Sequence, residues 1–470
     1  MNKQRFIISL LVVALVAAAV GRSASAEEPS PATLQKLEEQ IKALQEQVNA
    51  LKQQQDASQQ EAAKTAVEVA KKAKETPIVA IDKDGFSLKS ADGDNRLRIG
   101  GYIQADSRTF LQDKAGNEID TFLLRRVRPI LEGTVLRDFD FRVMPDFGNG
   151  ASSSTLIQDA YLEWHYWPWL KVRAGKYKPP VGLEQLQSDT DLFFTERGLP
   201  SDLVPQRDVG LQLSGDLFGG AISYAGGIFN GVADGAIADL DAGDAKDFAA
   251  RVFFQPFKNT NIRPLQGLGF GVAGTIGDQQ TLSVSTNSLP TYKTTGQQTV
   301  FSYLKATVPN GTELRGTPQV DYYWGPFGLL GEYVVTEQAV RNGTKTDRLR
   351  NEAWQIAGSF VLTGENASYK GVTPRRPFDP KTGGWGAFEL VGRYGQLRID
   401  PDAFPTFADP TKSIQEAREW GIGVNWYLNK NVKAVVDYEQ TDFDGGAANG
   451  KLVANRPAEK VIFTRLQLAF

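Results

Sequence analysis

From Arg96 to Phe470 the chain divides into segments of about ten residues in which apolar and polar side chains alternate, separated by turn chemistry. About sixteen such segments can be laid out, and the connections between them alternate between long and short. The long ones run Leu111 to Asp120, Gly148 to Thr155, Lys178 to Gln206, Gly231 to Lys246, Asp278 to Gly311, Glu337 to Asn351, Ile399 to Arg418 and Thr441 to Glu459. The tight ones are Arg137-Asp138, Trp167-Pro168, Leu217-Phe218-Gly219, Gly325-Pro326-Phe327 and Leu428-Asn429-Lys430. Two depart from this rule, Phe257 to Gly267 and Thr363 to Trp385. Short turns at one membrane face and long loops at the other produce this asymmetry, whereas a soluble sandwich has no reason to. The predicted fold is all-β: a 16-stranded antiparallel transmembrane β-barrel over residues 96–470.

The alternation also assigns the faces. Leu123, Val127, Leu131 and Val135 oppose Arg126, Arg128, Glu132 and Thr134. Phe139, Phe141, Val143 and Phe147 oppose Asp140, Arg142 and Asp146, while Trp420, Ile422, Val424 and Trp426 oppose Glu419 and Asn425. About sixteen strands enclose a lumen too wide for side chains to fill. The charged face is therefore expected to line water and the apolar face to meet lipid.

The ends of the chain complete the layout. Lys3 and Arg5 precede the apolar run Phe6 to Val20, and Ala24-Ser25-Ala26 is an A-x-A cleavage site, so residues 1–26 are expected to be a removed secretory signal. The net charge is −3 and becomes more negative without Lys3, Arg5 and Arg22, which gives no basic excess for nucleic acid. Cysteine is absent, as suits an envelope protein held by a closed ladder rather than by disulfides. Residues 27–76 lack glycine and aromatics, and Leu34, Leu37, Ile41, Leu44, Val48 and Leu51 step by three and four, a coiled-coil register. That register weakens after Leu51, and a solvated single helix or a tether is the alternative. A helix from Leu34 to Lys72 would reach about 60 Å, a useful span in the periplasm. Pro77 is expected to stop it, with residues 77–95 a linker or a small hairpin turning at Asp92-Gly93.

Chemistry in such a chain is electrostatic, because charged rings in a narrow aqueous passage select ions. The alternation turns Arg126, Arg128, Arg142, Arg173, Arg251, Arg315 and Arg393 toward the lumen. Arginine donates in pairs to phosphate or carboxylate. The competing expectation is that each pairs with a lumen carboxylate such as Glu132, Asp159, Glu163, Asp208, Glu389 or Glu439. The connection 178–206 is long, and it carries apolar residues among charges. It is expected to fold into the lumen as a constriction, with Phe193 and Phe194 packed on the wall. The alternative is a loop over the barrel mouth or a neighbouring subunit. No cofactor or metal motif stands out.

The stretch Ala174 to Gly215 resembles the phosphate-selective porin O and P family. The matching positions are Gly175, Lys176, Lys178, Pro179, Leu183, Glu184, Glu196, Arg197, Pro205, Arg207, Asp208 and Gly210. Leu124-Arg125-Arg126-Val127-Arg128 with Glu132-Gly133, and Phe327-Gly328 with Gly331-Glu332-Tyr333, look like further family segments. The resemblance spans the barrel and implies a homotrimeric outer-membrane channel that draws anions inward, with Arg126, Arg128, Lys176 and Lys178 as anion-path residues. The terminal Phe470 looks like the signal by which the outer-membrane assembly machinery recognises its clients. The dense lumen carboxylates depart from strict phosphate selectivity. The heptads are an addition to the family barrel, implying a periplasmic trimerisation rod or a cell-wall tether.

Other readings remain. A general or sugar-type porin without anion preference fits the same barrel, as does a structural anchor held through the heptads. A barrel enzyme would need a base, and the single histidine, His165, lies between Trp164 and Tyr166 at a predicted turn. That setting suits an aromatic girdle better than catalysis.

Overall fold

The structure is a computed structural model and describes residues 30–82, 85–111, 118–148, 156–239, 244–280 and 289–470. The expected secretory signal, residues 1–26, lies outside the described residues, as do parts of the loops after Leu111, Gly148, Gly231 and Asp278.

The amino-terminal unit is one helix, α1, Pro31–Glu75. It ends just before Pro77, whose ring forbids continuation. Its heptad residues Leu34, Leu37, Ile41, Leu44, Val48 and Leu51 all stand exposed on the single chain.

The second unit is the barrel, preceded by two short strands, β1 (Ile78–Asp82) and β2 (Gly85–Lys89). β2 pairs with the first barrel strand through a turn that contains Asp92-Gly93. The wall continues through β3 (Arg96–Phe110), β4 (Thr121–Val135), β5 (Phe139–Pro145), β6 (Ile157–Trp167), β7 (Leu170–Tyr177), β8 (Asp208–Leu217), β9 (Ile222–Phe229), β10 (Asp247–Phe254) and β11 (Leu268–Gln280). The small hairpin β12 (Thr291–Lys293) and β13 (Thr299–Ser302) stands apart from it. The wall resumes with β14 (Thr307–Trp324), β15 (Phe327–Asn342), β16 (Lys345–Val361), β17 (Ala387–Arg398), β18 (Ile414–Tyr427) and β19 (Val432–Asn449). β20 (Leu452–Asn455) extends the tip of β19, and β21 (Glu459–Ala469) pairs with β3 to close sixteen antiparallel strands into a cylinder.

The faces follow the alternation. Leu131, Val143, Ile422, Val424, Val436, Leu466 and Leu468 are exposed on the outside, while Arg128, Asp146, Glu419, Asn425, Asp437 and Arg465 are buried within. With lipid outside, that exposed apolar surface is where it belongs.

Three features differ from the expectation. The strands on either side of Glu337 to Asn351 run on past it, to a two-residue turn at Gly343-Thr344, where Gly343 adopts φ +62°. On β4 the ladder skips Arg125, since Gln104 faces Arg126 and Ala105 faces Leu124. This bulge reverses the face assignment beyond it, so Leu124 is exposed and Leu123 belongs to the other face. Thirdly, the lumen is not lined by water alone. Tyr292 and Phe301 of the β12–β13 hairpin stack with centroids 5.3 Å apart, in a fully buried apolar cluster with Leu203, Leu349, Leu397, Phe407 and Phe443. Long loops carry their own apolar residues inward and bury them against the wall.

Candidate functional site

Between β7 and β8 the chain leaves the wall at Lys178-Pro179-Pro180, where two prolines end the ladder. It forms the single helical turn α2 (Leu183–Leu186) and a 3₁₀ turn at Leu199–Leu203 before rejoining the wall. Its main chain is held by inward-facing wall side chains. The N–H of Leu183 donates to Glu332 at 2.7 Å, and the N–H of Thr195 to Asp437 at 2.8 Å. Gln104 donates to Asp189 O at 2.9 Å, Asn425 to Phe193 O at 2.9 Å, Lys433 to Leu192 O at 2.8 Å and Arg465 to Thr195 O at 2.7 Å. These partners come from β3, β15, β18, β19 and β21. Buried main-chain groups demand partners, and the polar inner wall supplies them. Phe193 and Phe194 are buried with Leu183, Phe253, Leu330 and Val391, and the Arg393 guanidinium lies 4.4 Å from the Phe194 ring centroid. The long connection 363–385 reaches the same place, with the Tyr369 hydroxyl donating to Leu183 O at 2.6 Å.

Two carboxylates of this segment gather arginines. Glu196 lies 2.5 Å from Arg125, 3.3 Å from Arg108, 3.5 Å from Arg126 and 3.7 Å from Arg465. Asp189 meets Arg197 at 2.5 Å and Arg126 at 3.6 Å, pairs with Arg128, and accepts from the Tyr102 hydroxyl at 2.9 Å. Burial alone would raise both carboxyl pKa values, but the surrounding guanidiniums outweigh it and hold both well below the usual carboxylate range. Burial, reinforced by Arg197, pushes the Lys178 ammonium well below its ordinary value, and its Nζ donates to Gln187 O at 2.8 Å.

The other candidate cations are dispersed and paired. Arg142 meets Glu132 at 2.7 Å, Arg173 meets Glu163 at 2.6 Å, Arg207 meets Asp159 at 2.9 Å, and Lys176 pairs with Asp239. Asp208 accepts the N–H of Gly231 at 2.8 Å, tying the start of β8 to the next loop. Arg251 donates to Gln319 at 2.9 Å and lies 4.5 Å from the Phe253 ring centroid. Arg315 and Arg393 must be corrected as lining residues, because both side chains are wholly buried. Arg315 is enclosed by Asp234 (2.6 Å), Glu313 (2.8 Å) and Asp247 (3.3 Å), and Arg393 by Glu439 (2.8 Å), Glu419 (2.9 Å) and Glu184 (3.8 Å). A buried arginine so surrounded has its charge offset by its own neighbours. His165 sits 3.2 Å from Asp140 beside an edge-on Trp164–Trp167 pair.

Strict alternation had hidden Arg125, which it assigns to the lipid face. Two consecutive arginines inside an otherwise regular segment are the visible trace of the bulge. In the sequence Asp189 is only one charge of the long connection, because two of its three arginine partners, Arg126 and Arg128, reach it from β4. Arg125, Arg126, Glu196 and Arg197 border an open cavity of about 1000 Å³, whose lining also includes Asp202, Asp234 and Lys293.

The profile of the phosphate-selective porin O and P family matches residues 97–470. Porin O of Pseudomonas aeruginosa is 25% identical over 412 residues, covering 78% of this chain and 87% of that protein. The outer membrane channel DcaP of Acinetobacter baumannii shares the fold, with a TM-score of 0.51 at 10% identity, over 81% of this chain and 99% of that one. A closed sixteen-stranded wall with its charges inside and a family match along the whole barrel make this chain a member of the phosphate-selective porin O and P family, an outer-membrane channel rather than an enzyme.

Proposed function

We propose that the channel passes small anions, phosphate-like oxyanions among them, by passive diffusion, with the 178–206 segment as its constriction. The observation that carries this is the arginine cluster gathered on Glu196 and Asp189, part of which borders the cavity. Six guanidiniums (Arg108, Arg125, Arg126, Arg128, Arg197 and Arg465) are joined in that cluster to the four carboxylates of Asp106, Asp146, Asp189 and Glu196. Of these, Arg125, Arg126, Arg197 and Glu196 line the cavity, whose wall also carries Lys293 and the carboxylates of Asp202, Asp234, Asp244 and Asp278. In a passage walled by low-dielectric material, the guanidinium surplus of that cluster raises the anion concentration next to it. Reversal potentials in a planar bilayer under a salt gradient test the reading: anion preference is expected, and cation preference overturns it. A general porin without preference is the second reading, favoured by the carboxylate cages around Arg315 and Arg393, which cancel basic charge elsewhere in the lumen.

The assembly reading is a homotrimer set in outer-membrane lipid, with α1 in the periplasm after removal of residues 1–26. Its support is the exposed heptad row, which costs free energy at about 25 cal/mol per Å² while it stays in water. Three helices side by side would cover that row, and their outer faces could then contact the cell wall. Phe470 serves in this reading as the assembly signal.

A further inference from the structure

We propose that Glu196 is a tethered counter-anion: its carboxylate occupies the seat that the arginine group would otherwise give to a permeant oxyanion, and so sets how loosely the channel holds its solute. The inference rests on the anion reading above and names the residue that tunes it.

The geometry is that of an occupied oxyanion site. Arg125 donates side-on to both carboxylate oxygens, Nε to Oε1 at 2.5 Å and Nη2 to Oε2 at 3.1 Å. This is the two-pronged contact guanidinium makes with free phosphate or carboxylate. Arg108, Arg126 and Arg465 complete the ring at 3.3 to 3.7 Å. Two of these arginines keep donor capacity, since Arg108 Nε and Arg126 Nε have no hydrogen-bond partner.

Glu196 is also fixed where it stands. Its own carbonyl accepts from Arg393 at 3.0 Å, and the main chain of Thr195 is held by Asp437 and Arg465. A carboxylate pinned by its backbone cannot follow the permeant ion, so it is a permanent competitor for the same donors. It borders the open cavity, unlike Asp189, so only Glu196 competes directly with solute. Conduction requires binding weak enough to be released, and an internal anion in the seat meets that requirement.

The test is phosphate block of chloride current through the full-length channel in planar bilayers. Glu196→Gln keeps the shape and removes the charge. The half-blocking phosphate concentration is expected to fall roughly tenfold, the low end of what a cleft of one sign achieves. Glu196→Asp, which retains the charge but draws it back by one methylene, is expected to give a smaller fall in the same direction. It also keeps the idea testable if Glu196→Gln fails to assemble. Unchanged or weaker block in either inserted variant, with wild type still anion-preferring, overturns the counter-anion role and leaves the anion reading standing. A cation-preferring wild type overturns both.

Discussion

Gly101 and Phe470 exchange both main-chain hydrogen bonds, at 2.9 and 3.0 Å, so the last residue of the chain is stitched to its first barrel strand. The approach leaves no room for larger residues. A Cβ on Gly100 would lie 2.5 Å from Phe470 O, and one on Gly101, at φ +157°, would lie 2.7 Å from Arg128 O. Each bond contributes about 1 kcal/mol net. Deleting Phe470 is expected to cost about 2 kcal/mol of stability, seen as a lower urea midpoint of the folded barrel by heat-modifiable gel mobility. Gly100→Val should cost at least as much. Wild-type midpoints in both would show that the seam is not held there.

Arg393 holds the infolded segment. Arg393→Met would leave Glu184, Glu419 and Glu439 without their shared cation, at a cost of about 3–5 kcal/mol. The expected outcome is a lower unfolding midpoint together with larger, noisier single-channel conductance as the segment loosens from the wall. A fully stable variant whose only change is ion selectivity would instead return Arg393 to the conducting path.

The β12–β13 hairpin should be docked more firmly at low pH. The Asp202 carboxylate accepts the N–H of Lys293 at 2.8 Å, and burial, with Asp234 nearby, pushes its pKa up to about 7, while the N–H and charge of Lys293 oppose the rise. A raised carboxyl binds its proton more tightly in the folded state. Its contribution is therefore complete below the unfolded value of about 4 and is lost as the pH climbs through 7. Limited proteolysis within residues 289–303 is expected to accelerate from pH 5 to pH 8, and Asp202→Asn should flatten that profile. A wild-type profile that runs the other way would sink this assignment.

The helix makes a separate prediction. The natural chain has no cysteine, so Leu37→Cys places one thiol at a heptad seam position. Mild oxidation should give an interchain disulfide, and adding Leu44→Glu should abolish it by putting a charge in the seam. An uncrosslinked Leu37→Cys channel would argue for a lone helix.

Much of the barrel can be read directly from the order of residues. Val143 outside and Arg142 inside follow from a two-residue period, as do Val436 and Asp437, because a strand turns successive side chains to opposite faces. The same rule misplaced Arg125, since one skipped residue on β4 inverts everything beyond it and carries no mark except its doubled arginine. The hairpin of Tyr292 and Phe301 was expected only as part of a long connection, because its burial depends on residues as far away as Phe443.

Alternation alone therefore determined that this chain makes a closed wall with hydrocarbon on one side and charge on the other, since that partition is decided within a few neighbouring residues. Which charges remain available to a solute was decided only by tertiary structure. Arg126 and Arg393 are the same residue type on the same inward face and both meet carboxylates, yet Arg126 borders the cavity while Arg393 is sealed among three of them. The difference lies in Coulomb partners brought within a few ångströms from distant parts of the chain, and no local pattern encodes that distance.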